Sequence, residues 1–521
     1  MRGPGSAVCC GALILATAAA IPAADGDQPP PIQIIFDLHA DPFPQVPLDT
    51  RADIYVQWRD AARWALGVCA ARGARISFLC AGEFAEFALD DPDDGWPLFA
   101  DMAASGDTIG VHSHKEWQVA PHDWPQLTGT PPPEIVVAAW DDAVGAVDAV
   151  VSAALGISDP DELRQIVNSR GSHLPSDDTQ RIDLMGDYGF TIHQQGPEEE
   201  FFAYFGHYVL NPYRPAGWHF LEHDPAGPVV DSPTGSGLGK AGIHFDIYQD
   251  YRLPAAKAHF LLEVLNWLDD AYVAGTGRVW SFGWGLHTAD ILPGEPQRDA
   301  VEPMLDWLKD NFVDTTISGL QVAEFSSSAQ SRDRYLEWET AHPGRVPFSY
   351  VPRETSWAHY PYLEPVARYL VGAQHVEIID LPGVRIHRLA ASDALGGFPI
   401  FVAYPLAAAT EAVDVSALFA EPMVGRVCPR TGLAPLVDAT DVDIPATGVI
   451  LVAPDDRLRM PNGDANLDGR VDLTDLAIVL SAYGHCAGDP GFDPDADIVP
   501  DGCVDLGDIA RLLVFYEVGC P

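Results

Sequence analysis

From about residue 32 to about residue 312, short runs of consecutive apolar residues alternate with longer segments whose apolar positions recur three or four apart. "IQIIFDLHAD" (32–41) predicts a buried strand, "YVQWRDAARWALGVCAARG" (55–73) a helix closed by Gly73, and "ARISFLCAG" (74–82) a second buried strand. "WPLFADMAASG" predicts a helix ending at Gly106, and "TIGVH" a strand ending at His112. A long helix at about 134–155, a strand in "RQIVNSRGS", a helix at about 178–187, a strand in "VWSFGWGLHTAD" and a helix in "AVEPMLDWLKDNF" continue the series. Such alternation implies a parallel sheet or barrel with helices outside it, the α/β class.

The period changes after about residue 345. "VEIIDLPGVRIHRLAAS", "GFPIFVAYPL", "AVDVSAL" and "TGVILVAP" are short β-rich runs punctuated by Gly and Pro, and they predict a small β-sandwich over 345–455. From 461 to 521 the chain is rich in Asp and Gly. At the other end, Arg2, a short apolar stretch and then small residues have the layout of a secretory signal peptide over 1–24, with a Pro-rich linker at 25–31. The organisation expected is therefore leader, linker, α/β unit (32–344), sandwich, and an acidic C-terminal module.

Composition narrows the function. The 521 residues are 47% hydrophobic and 20% charged, which is globular, and the formal charge is -45. A phosphate backbone or an anionic membrane is bound by clustered Lys and Arg, so no nucleic-acid partner is expected. The leader's apolar run is shorter than the roughly 20 residues that a spanning helix needs, and no later segment is apolar enough, so no transmembrane segment is expected in the mature chain. Secretion or display at the cell surface is the expected localisation. Six cysteines follow the leader, and export permits disulfides among them without the sequence fixing their pairing.

In "GDANLDGRVDLTDLAIVLSAYG", Asp464, Asn466, Asp468, Asp472 and Asp475 fall at loop positions 1, 3, 5, 9 and 12, with Gly469 at 6 and the Arg470 carbonyl at 7. Oxygens so spaced around a Gly-permitted turn suit calcium. "DIVPDGCVDLGDIARLL" repeats the plan with Asp497, Asp501, Cys503, Asp505 and Asp508, and with Val499 in place of the second ligand. This duplicated loop and helix, over about 462–520, resembles a dockerin. The resemblance implies a small α-helical calcium-binding module and a cohesin-like or cell-surface partner.

On a strand, Asp37, His39 and Asp41 point to one face, and polar groups there need partners or a metal. His112, His114 and Glu116 follow the end of another strand, where parallel α/β folds place ligands. Imidazoles with carboxylates suit zinc first, with cobalt, nickel or manganese as alternatives.

Over about residues 32–312 the order of motifs resembles that of the polysaccharide deacetylases, metal-dependent enzymes on a distorted (β/α) barrel. "IIFDLHAD" stands at the family's first motif, "GDTIGVHSH" at its metal motif, "NSRGSHLPSDDTQRIDLMGDYGF" at its Arg motif and "SFGWGLHTAD" at its late Leu-His motif. The resemblance implies Asp37 as general base, Arg170 as the residue orienting it, His287 as general acid and His112 as a metal ligand. Leu38 stands where the family has a metal aspartate and Glu116 where it has a second histidine, so Asp41 or His39 has to supply the first and His114 or Glu116 the second. Deacetylation of a polysaccharide is the implied activity, with Trp117, Trp280 and Trp284 as candidates to stack on sugar. Two alternatives remain: a glycoside hydrolase using paired carboxylates such as Glu83 and Glu86, or Asp290 beside His287, and a non-catalytic carbohydrate-binding or surface scaffold protein.

Overall fold

The computed structural model describes residues between 29 and 516, apart from several internal stretches, the longest being 173–184, 194–206, 233–252, 353–372 and 454–462. The expected leader lies outside them.

Strands β1 (Ile32–Ala40), β2 (Ile76–Cys80), β3 (Thr108–Ser113), β4 (Val167–Ser172), β5 (Ile192–His193), β6 (Val230–Asp231), β7 (Ser281–His287) and β8 (Ala323–Ser326) form one sheet. Its order is β7-β1-β2-β3-β4-β5-β6, every pairing is parallel, and it curls into a half-barrel. β8 pairs with the first half of β1 on the edge whose second half is taken by β2. All nine residues of β1 are buried, as expected of a central strand covered on both faces. Three of them are polar. Gln33 is satisfied by Ser326, Glu324 and the Pro31 carbonyl, whereas Asp37 and His39 are paired with each other.

Helices α1 (Leu48–Arg72), α2 (Gly82–Leu89), α3 (Gly95–Ser105), α4 (Pro133–Leu155), α5 (Pro160–Ile166), α6 (Leu253–Asp269), α7 (Pro296–Leu308) and α8 (Ser328–Ala341) complete this unit. α1 and α3 stop where expected, because Gly73 (φ 75°) and Gly106 (φ 77°) take the left-handed conformation that returns their N–H groups to carbonyls of the last turn. Phe78, Phe84, Phe99, Trp124 and Trp140 are buried where helices meet the sheet, and each such side chain contributes roughly 1.5–3 kcal/mol.

A second, antiparallel sheet comprises β9 (Gln374–Leu381), β10 (Val384–Ala390), β11 (Pro399–Pro405), β12 (Met423–Cys428), β13 (Gly432–Leu433), β14 (Val437–Asp438) and β15 (Val449–Val452). One face joins the main core through Leu389, Ile400, Val402 and Val452, and the alternate residues Ile386, Phe401, Ala403 and Leu451 pack with Val415, Ala439 and Val442. The strand expected in "AVDVSAL" is absent. Asp414 accepts hydrogen bonds from the Ser416 N–H (2.9 Å) and hydroxyl (2.6 Å), turning the chain after a single bridge from Val413 to Val442.

Near the C-terminus, α9 (Leu473–Ala482) and α10 (Leu506–Phe515) share a small core of Val471, Val479, Ala482, Val504 and Leu512. Cys486 and Cys503 form a disulfide there, while Cys69 and Cys80 are free and buried in the main unit, where burial raises both thiol pKa values.

Candidate metal centre

Strand register assembles the site. His39 pairs with His287 across β1 and β7, and His112 lies two residues beyond Gly110, which aligns with Leu79 and so with His39. The side chains of His39, Asp41 and His112 therefore converge, and one donor atom from each lies within 4.8 Å of the others. The His39 and His112 rings stack with centroids 4.6 Å apart.

His39 is held from outside the cluster, and Asp41 bridges His112 and His287. Asp37 Oδ2 lies 3.1 Å from His39 Nε2, with both residues 1% exposed, which orients the ring. Asp41 Oδ1 is 3.2 Å from His112 Nε2, and its Oδ2 is 3.4 Å from His287 Nε2. His287 Nδ1 lies 3.0 Å from Asp290 Oδ2, which also accepts the His287 backbone N–H. Solvent reaches the cluster through Asp41 (29% exposed side chain) and His287 (15%), because His112 is fully buried. Two imidazoles and a carboxylate, with Asp37 behind His39 and one open side, fit a divalent metal ion.

The other predicted residues divide. His114 and Glu116 lie outside the described residues, as do the side chains of Arg170 and Trp284. Arg170 stands on β4 in register with Val111 and His193. Trp280 is buried in the core with Nε1 on Asp270, and Trp117 is half-buried and bonds Asp142. Glu83 and Glu86 hold loops: Glu83 accepts from Arg51 and the Phe43 N–H, and Glu86 from the His122 N–H and Trp124. Of the calcium set, Asp464, Asp468, Arg470 and Asp501 lie outside the described residues. Asp475 and Asp508 occupy equivalent places, each accepting two loop N–H groups: Asn466 and Asp472 in the first loop, Val499 and Asp505 in the second.

Sequence reasoning misses a second buried pair, His193 Nδ1 and Asp231 Oδ1, 2.8 Å apart at the ends of β5 and β6. Those strands have two residues each, too short for any periodicity to mark.

No family model matches the chain, and no curated protein matches it in sequence. Among solved structures, a protein assigned as a polysaccharide deacetylase from Mycobacterium smegmatis is similar at 13% identity and a TM-score of 0.33, over 60% of this chain and 96% of that one. A 4-alpha-glucanotransferase from Thermococcus litoralis is similar at 11% identity and a TM-score of 0.35, over 64% of this chain and 46% of that one. Likeness at this level carries no argument about activity, so the chemistry has to be read from the side chains.

Proposed function

We propose that the chain is a metal-dependent hydrolase that removes acyl groups from a polysaccharide, with His39, Asp41 and His112 holding a divalent ion. The observation that carries the reading is the convergence of these three donors at the C-terminal ends of β1 and β3. When bound there, such an ion polarises an acyl carbonyl and acidifies water. Asp37 orients His39 and is the carboxylate assigned to accept the proton of the attacking water. Asp290 fixes the tautomer of His287 by occupying Nδ1, so Nε2, on the exposed side of the site, delivers a proton to the departing amine or alcohol. Arg170 keeps the role that the motif order gives it, steadying the base. The engagement of Glu83 and Glu86 in loop contacts speaks against their use as a glycosidase pair.

The same reading has the protein exported and carrying a calcium-binding, dockerin-like module with a cohesin-like or surface partner. Its support is the matched geometry of the two loops around Asp475 and Asp508.

Acetate release from acetylated xylan and acetylated chitin oligomers, measured with zinc, with a chelator and in His112→Ala, tests the proposal. Loss of both metal and acetate release in the variant is expected. Unchanged metal content in His112→Ala would sink the assigned site, and reducing ends without acetate would point to a glycosidase.

A further inference from the structure

The two chain segments that carry the centre are tied to one short helix. Asp41 is the first residue after β1, and two residues later the Phe43 N–H donates to Glu83 Oε2 at 2.9 Å. His112 lies near the end of β3, and the loop that follows returns over α2, with Trp124 so close to Gly82 that a Cβ there would meet Trp124 Cη2 at 2.3 Å. Glu83 Oε1 accepts Arg51 Nη1 at 2.6 Å, and Arg51 reaches both segments: its Nε donates to the Val46 carbonyl (3.0 Å) and its Nη1 to the His122 carbonyl (3.4 Å).

One turn along α2, Glu86 accepts the His122 N–H (2.6 Å) and Trp124 Nε1 (2.9 Å). These bonds hold His122 at φ 61°, the left-handed region, with its ring stacked on Phe87 at 4.1 Å. Among the described residues it is the one non-glycine residue with positive φ. A non-glycine residue persists there only where its surroundings over-determine it. Glu83 is fully buried and Arg51 4% exposed, and burying such a pair costs more than an apolar pair of similar volume, so its retention calls for a geometric reason.

We propose that Arg51 and Glu83 are positioning residues for the centre: together with Glu86 they fix the loop after β1 relative to the loop after β3, and so the separation of Asp41 from His112. This rests on the reading of His39, Asp41 and His112 as metal ligands. The clamp acts by holding the chain that follows two of the three donors, at Phe43 and Val46 after Asp41 and at His122 and Trp124 after His112.

The test is cobalt(II) binding to the full chain, read by chelator competition and by the visible d–d absorption that reports ligand geometry. Glu83→Gln and Arg51→Lys are compared with wild type and with Asp148→Asn, which removes an Arg164 ion pair of the same 2.6 Å length elsewhere in the unit. Glu83→Gln is expected to weaken cobalt binding by about 10- to 100-fold and to alter the d–d spectrum. Arg51→Lys, which keeps the charge and loses the fork, is expected to fall between it and wild type, and Asp148→Asn to bind cobalt normally. A folded Glu83→Gln protein with wild-type affinity and spectrum overturns the proposal. If Glu83→Gln does not fold, Arg51→Lys decides on the same readouts, wild-type values again overturning it. Wild-type protein that binds no cobalt overturns the metal reading itself, and the clamp's role with it.

Discussion

His39 and His287 are register partners on adjacent parallel strands, with ring centroids 5.6 Å apart and edge to face. Their carboxylate partners differ: Asp37 holds His39 through Nε2, whereas Asp290 holds His287 through Nδ1. In the proposed reading His39 serves the ion and His287, through Nε2, the substrate. His287→Asn is accordingly expected to keep metal affinity within a few-fold of wild type and to lose about 10²- to 10⁴-fold in acetate release, the usual worth of a general acid. His39→Asn should lose both. Metal affinity and turnover measured on the same preparations check this, and a His287→Asn protein that no longer holds metal would make His287 a ligand.

Gly283 and Gly285 lie two residues apart on β7 and predict opposite outcomes. A Cβ at Gly283 would come 1.9 Å from the Ile35 carbonyl oxygen, in the backbone of the neighbouring strand, while one at Gly285 meets Asp37 Cβ at 3.9 Å, an ordinary contact. Gly283→Ala forces β7 away from β1 at a cost of about 1–3 kcal/mol or more. Thermal melting should show it lowered by roughly 2–4 °C for each kcal/mol, with Gly285→Ala close to wild type. Equal melting of the two would mean that β1 and β7 leave room for a methyl group at Gly283.

Much of this architecture is legible in the sequence because the central strands of a parallel sheet must be apolar throughout. β1, β2 and β3 stand out as such runs, and the polar Asp37 and His39 stand out within β1. Gly73 and Gly106 mark helix ends for the same local reason. What the sequence hides is made by register between distant segments. Nothing near Glu83 announces that its partners are Arg51, 32 residues earlier, and Phe43, 40 residues earlier. The grouping of His39 and Asp41 with His112 likewise follows from where β3 sets His112, which no spacing within "DLHAD" specifies.

Glu263 sits on α6 at 5% exposure, its Oε1 has no hydrogen-bond partner among the described residues, and burial raises its pKa well above the ordinary 4.5. The unfolded chain ionises this carboxyl near its ordinary pKa, whereas the folded chain keeps it protonated to higher pH. Its stabilising contribution is therefore complete below about pH 4.5 and is lost as pH rises towards the folded pKa. Glu263→Gln, neutral at every pH, should match wild type in melting temperature at pH 4 and exceed it at pH 8. A variant lowered equally at both values would indicate that the carboxyl is held by a specific bond.

In the C-terminal module Asp475 and Asp508 close their loops in the same way, each carboxylate spanning two backbone N–H groups 2.7–3.1 Å away. Truncating either strands two loop donors, at about 1–3 kcal/mol for each one left buried. If the loops also hold calcium, the carboxylates are ligands as well, and the loss depends on calcium. The first loop has Asn466 at its second ligand position and the second has Val499, so the first should be the tighter. Calcium titration of the full chain is expected to show two sites of unequal affinity. Asp475→Ala should weaken the tighter and Asp508→Ala the weaker, each by at least about tenfold, as the closing carboxylate is a principal ligand of such loops. Variants that lower the melting temperature by the same amount with excess calcium and with a chelator would show that the carboxylates act only as backbone caps.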